Sequence, residues 1–83
     1  MKKPSNRDII ASFTAYGYTS DKDHRVIFAK GGKKYVVWVE NYPELSHSSP
    51  NYNIAKEAFM NAYYMTEKDY GSSDIDWNDE EEV

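Results

Sequence analysis

Two β-favouring runs, Arg25-Val26-Ile27-Phe28-Ala29-Lys30 and Lys33-Lys34-Tyr35-Val36-Val37-Trp38-Val39-Glu40, flank Gly31-Gly32 and form the clearest pattern in the chain. Runs of β-branched and aromatic residues separated by two residues that accept positive φ predict a tight hairpin with a Gly-Gly loop. That loop sets a register in which Lys30 faces Lys33, Phe28 faces Tyr35 and Val26 faces Val37. One face of the hairpin then carries Val26, Phe28, Tyr35, Val37 and Val39, and the other Ile27, Ala29, Val36 and Trp38. Both faces are apolar near the middle, so each needs a cover: a helix, a partner or the C-terminal segment of the chain itself.

Helical spacing recurs on either side of the hairpin. Ser5 with Asp8 three residues on, followed by Ile9, Ile10, Phe13 and Tyr16, predicts a helix over residues 5–16 ended by Gly17, although Phe13-Thr14-Ala15-Tyr16 also suits an extended segment. A charged turn over residues 18–24 leads into the hairpin. Beyond it, residues 41–53 read as a loop anchored by Tyr42, Leu45 and Tyr52. A second helix starts near Asn51 or Ile54, capped by Ser49 or Asn53, and runs to Lys68. Its apolar stripe is Ile54, Ala58, Phe59, Ala62 and Met65, with Ala55 and Tyr63 at the edges. Periodicity breaks at Tyr70-Gly71-Ser72-Ser73. The expected architecture is a small two-layer α+β domain over residues 1–70, in which an N-terminal and a C-terminal helix pack on a short antiparallel sheet. An acidic C-terminal tail, residues 71–83, follows it.

Composition narrows the chemistry. With 83 residues there is room for one domain, and chains of this size bury roughly 60% of the surface their unfolded form exposes. The absence of cysteine excludes disulfides, thiolate zinc sites and thiol nucleophiles, and accords with a cytoplasmic location. The first residues lead into no apolar h-region, and no window approaches the roughly 18 apolar residues of a membrane span, so neither a signal peptide nor a membrane partner is expected. The net charge of -4 conceals a division: residues 1–66 carry +3 and residues 67–83 carry -7. Eight tyrosines, with their polar tips on aromatic bodies, suit contact surfaces as well as small cores.

Two charged clusters are the candidate sites. Asp74, Asp76, Asp79, Glu80, Glu81 and Glu82 form a negative field that attracts basic protein surfaces, while Ile75 and Trp77 among them either fasten the segment to the domain or serve as hooks for another protein. Lys22, Arg25, Lys30, Lys33 and Lys34 form the basic cluster. These cations suit a phosphate backbone, with Tyr35 or Trp38 placed to stack on a base. His24, beside Asp23, and His47, three residues after Glu44 and among Ser46, Ser48 and Ser49, read as ordinary loop residues rather than a general base or a triad. The spacing of Asp74, Asp76 and Asp79 lacks the glycine and terminal glutamate of a calcium loop, and Gly31-Gly32-Lys33 is too short for a phosphate loop. No catalytic residue, metal or cofactor is expected.

The order helix, hairpin, helix, acidic tail resembles that of some small bacteriophage anti-restriction and anti-CRISPR inhibitors in size, element order and charge. This resemblance implies a non-enzymatic inhibitor that occupies the DNA site of a nucleic-acid-processing enzyme. Asp74, Asp76, Asp79, Glu80, Glu81 and Glu82 would substitute for phosphates, with Trp77 as anchor. The basic residues 1–66 depart from a whole-body DNA mimic. The plan also resembles double-stranded RNA-binding domains and small toxin components, with residues 18–20 as first strand. The toxin group's histidine, near a Gly-Ser-His stretch, has no counterpart at Gly31-Gly32-Lys33. The expected function is therefore noncovalent binding of a protein with a basic surface, such as a nuclease. Direct DNA or RNA binding through the basic hairpin is the alternative.

Overall fold

The computed structural model describes residues 3–16, 23–40, 42–69 and 71–78. They form a five-stranded antiparallel sheet with one helix on one face: β1 Ile9–Ala15, β2 His24–Gly31, β3 Lys34–Val39, β4 His47–Ser49, α1 Tyr52–Asp69 and β5 Asp76–Trp77. Strand order across the sheet is β4-β3-β2-β1-β5. The chain is an α+β domain with a C-terminal helix, and no helix among the described residues is long and apolar enough to cross a membrane.

The central hairpin forms with a displaced loop. Gly31 pairs with Lys34, so the two loop residues are Gly32 and Lys33 rather than Gly31 and Gly32, and Gly32 takes the positive φ of 69°. Val26 therefore lies opposite Val39, Ile27 opposite Trp38 and Phe28 opposite Val37. This register matches apolar residues with apolar residues along more of the ribbon than the Gly-Gly loop allows, because Val39 and Trp38 gain Val26 and Ile27 as partners. Moving the loop by one residue shifts the pairing by two, which preserves the face of every side chain. Gly31 serves by lacking a side chain: a Cβ there would meet Val36 Cγ2 at 3.2 Å. Gly32 has open space around it, so Gly32→Ala introduces only backbone strain. That substitution is expected to cost about 1–2 kcal/mol in urea denaturation, the penalty for placing an L side chain in the left-handed region.

The expected N-terminal helix is instead a strand. Only Asn6–Asp8 turns, as a single 3-10 element, and Ser5 makes no side-chain cap to it. Ile9, Ile10, Phe13 and Tyr16 fit a helical period, but Ala11, Phe13 and Ala15 fit the two-residue period of a strand, and all three are buried against the helix side of the sheet. Pairing decides between the two patterns. The apolar β2 would otherwise be an open edge, and β1 covers it from Ala15 opposite His24 to Ile9 opposite Ala29, with a bulge at Ile10. Gly17, the expected terminator, lies outside the described residues.

Helix α1 begins where Asn51 Oδ1 accepts the Ile54 N–H at 3.1 Å; Asn51 is the cap, and Ser49 Oγ accepts the Asn51 N–H. Its buried line is Ala55, Phe59 and Thr66, flanked by Ala62 and Tyr63. Phe59 sets this rotation by inserting between Phe13 and Phe28, with ring centroids 5.4 and 5.5 Å away. The predicted stripe is consequently split, and Ile54 and Met65 are 58% and 65% exposed. Leu45, an expected anchor, is also exposed, whereas Tyr42 packs on the core and meets His24 edge-on. Ile27 and Ala29, on the face away from α1, are nevertheless fully buried, with Val36 and Trp38 half-buried around them.

Residues 71–78, assigned from sequence to the tail, lie along β1. The Tyr16 N–H donates to the Gly71 carbonyl, the Ser73 N–H to Thr14, and the Asn78 N–H to Ile10 at 2.7 Å. Ser73 Oγ accepts the Thr14 N–H, and β5 sets Asp76 opposite Ser12 and Trp77 opposite Ala11. Ile75 packs on the core, and the Trp77 ring meets Phe59 edge-on at 6.2 Å. Of the two roles open to these apolar residues, fastening to the domain is the one present in the fold.

Candidate nucleic-acid interface

The hairpin tip, the N-terminal turn and the start of α1 meet at one end of the molecule. Four segments supply side chains to a groove of about 420 Å³: Arg7 and Asp8 from the turn, Lys30 from β2, Tyr35 from β3 and Tyr52 from α1, with Asn78 closing one side. Lys30 and Tyr35 are brought together because the displaced loop makes them a directly opposed pair. Lys30 Nζ lies 6.0 Å from the Tyr35 ring, and Tyr35 meets Tyr52 edge-on at 5.3 Å. Behind both tyrosines stands Phe28, fully buried, with centroids 6.3 and 5.5 Å away. One turn along α1, Lys56 Nζ lies 5.9 Å from the Tyr52 ring and 5.4 Å from Trp77.

Lys33, in the loop, and Lys34, directly after it, add to the cations at the tip, and the N-terminus of α1 contributes the positive end of its dipole there. At the far end of the hairpin lie Asp23, Arg25 and Glu40, and the last turn of α1 carries Glu67 and Lys68, so charges of both signs meet there. Desolvation, then the charges of Glu67 and Asp74, raise the Tyr63 phenol above its ordinary value.

No protein-family model, curated protein or solved structure matches the chain.

The other sequence candidates fall in different places. Arg25 and Trp38 belong to the opposite face of the sheet from Lys30 and Tyr35, as does Lys34 by its register. Arg25 Nη2 donates to Ser12 Oγ at 3.0 Å, and its backbone N–H donates to Glu40 Oε1, so this cation braces the hairpin to β1. Lys22 lies outside the described residues, as do Asp79, Glu80, Glu81 and Glu82. Asp74 and Asp76 are exposed at the β5 edge. Arg7, Asp8, Lys56 and Asn78 had no sequence signal for this groove, because convergence of separate segments is invisible before the chain folds.

His24 and His47 do converge, across a second, apolar groove of about 310 Å³ lined also by Val26, Val37, Ala58 and Met65. The alanines of α1 leave this gap above the sheet. His24 is buried on the Tyr42 ring. Two of the three serines near His47 hold backbone instead: Ser46 Oγ accepts the Val39 N–H, and Ser49 Oγ the Asn51 N–H. Among the described residues, no group of three or more His, Asp or Glu side chains is placed to hold a metal ion.

Proposed function

We propose that this protein is a noncatalytic nucleic-acid-binding protein and that its ligand is held at the hairpin end. The observation that carries the reading is the shared groove of Arg7, Lys30, Tyr35 and Tyr52, in which cations border a solvent-facing aromatic platform. Cations at such a site release condensed counterions from phosphates, and aromatic rings stack on bases whatever their sequence. The fold supports this alternative over a free acidic hook, because Ile75 and Trp77 are engaged with the protein's own core.

Fluorescence anisotropy of labelled oligonucleotides across a salt series tests it. Affinity is expected to fall steeply with salt. Replacing Arg7, Lys30 and Lys33 together with alanine should weaken binding at least tenfold. The salt dependence should also flatten, by roughly 0.7–0.9 in log–log slope for each phosphate that the variant no longer neutralises. Absence of salt-dependent binding to any oligonucleotide rejects the reading.

A second reading, occupation of a basic protein surface in the manner of an anti-restriction inhibitor, is favoured by one feature. Asp74 and Asp76 are exposed at the sheet edge beside Trp77, itself 37% exposed. It requires that oligonucleotides leave the protein unbound in the same titration.

A further inference from the structure

We infer that the nucleic acid is single-stranded and that one unpaired base enters the groove and stacks on Tyr52; this rests on the nucleic-acid reading above. The groove is shallow and open to solvent, and at about 420 Å³ it has room for one flat base laid on its floor. Tyr35 and Tyr52 line it together with Arg7, Asp8 and Asn78. Bases within a duplex are stacked on both faces and present only their edges in the grooves. A base must therefore leave its stack to reach the tyrosines.

The platform is built for exchange rather than for packing alone. Tyr52 is 38% exposed, yet it is backed by the fully buried Phe28 at 5.5 Å and abutted by Tyr35 at 5.3 Å, so its position is set before any ligand arrives. The ammonium groups of Lys30 and Lys56 stand 6.0 and 5.9 Å from the Tyr35 and Tyr52 rings, at the outer limit of cation–π contact. An arriving base can take the ring face, and the displaced ammonium then meets a flanking phosphate. Asp8, the acidic member of the lining, repels phosphate from its own side and directs the backbone toward Lys30 and the loop lysine Lys33. Asn78 is held in place by its Nδ2 donating to the Ile9 carbonyl at 3.2 Å.

The test compares a short labelled oligo-dC strand at neutral pH with the same strand annealed to its complement, using the full chain, Tyr52→Leu, Tyr52→Phe and Lys33→Ala. The strand is expected to bind at least tenfold more tightly than the duplex. Tyr52→Leu should weaken strand binding at least fivefold and duplex binding by a smaller factor, Tyr52→Phe should retain strand binding, and Lys33→Ala should weaken both. Unchanged thermal melts of the variants exclude loss of fold as the cause. Equal or tighter binding of the duplex, or indifference of strand binding to Tyr52→Leu, overturns the single-strand inference and leaves the nucleic-acid reading standing. Failure of both probes to bind in a salt-dependent way overturns the two together.

Discussion

Phe59→Ala is expected to lower the unfolding free energy by about 3–5 kcal/mol, the range for deleting a buried aromatic side chain. Phe59 is fully buried, and its ring touches Phe13, Phe28 and Trp77, one from each of β1, β2 and β5. It is the side chain through which α1 engages those three strands together. Its neighbours on the helix, Ala55, Ala58 and Ala62, are too small to close the cavity it would leave. A domain of this length has a total stability of order 4–12 kcal/mol at roughly 0.05–0.15 kcal/mol per residue. The substitution therefore removes a large share of it, and the urea midpoint followed by circular dichroism should fall by a quarter or more. A midpoint within the error of the parent protein would mean that α1 does not pack on the sheet through Phe59.

Ending the chain after Tyr70 is expected to destabilise the fold by about 2–5 kcal/mol more than ending it after Asn78. The first cut removes Ile75 and Trp77, partly buried side chains of the kind worth up to about 1.5–3 kcal/mol each when fully covered. It also strips from β1 the hydrogen bonds made to Thr14, Tyr16 and Ile10 by residues 71–78. The exposed β1 edge then invites association between chains. The second cut leaves β5 and its pairing with β1 in place. Thermal denaturation of the two truncated proteins, with sizing by gel filtration, checks both statements, and equal midpoints would show that β5 contributes nothing. Any binding study that deletes residues 71–83 as a unit confounds the acidic charge with the integrity of the sheet. Neutralising charges in place, or cutting after Asn78, separates the two.

Much of the architecture was legible. The hairpin, the two faces of its strands and the helix over Tyr52–Asp69 follow from patterns spanning a few neighbouring residues, where period and propensity agree. The N-terminal segment was not legible in the same way. Ile9, Ile10 and Phe13 satisfy a helical spacing, while Ala11, Phe13 and Ala15 satisfy a strand, and both sets are apolar. The C-terminal segment misled for the opposite reason: its eight carboxylates from Glu67 onward dominate the composition, and the two side chains that seat it in the fold are easily taken for hooks.

The sequence by itself determined the chemistry on offer. It supplied a cysteine-free domain with apolar strands, a tyrosine-rich surface and cations held apart from a negative C-terminal stretch. Only the tertiary structure decided that Ile9–Ala15 is a strand, because the open edge of β2 is satisfied by pairing and not by a helix. It alone decided that Trp77 lies on the helix side of the sheet against Phe59, and that Arg7, Lys30, Tyr35 and Tyr52 share a groove while Arg25 and Trp38 lie on the other side of the sheet. Local pattern sets which conformations a segment tolerates. The choice among them is made by partners remote in sequence, whose burial and hydrogen bonds exist only in the assembled sheet.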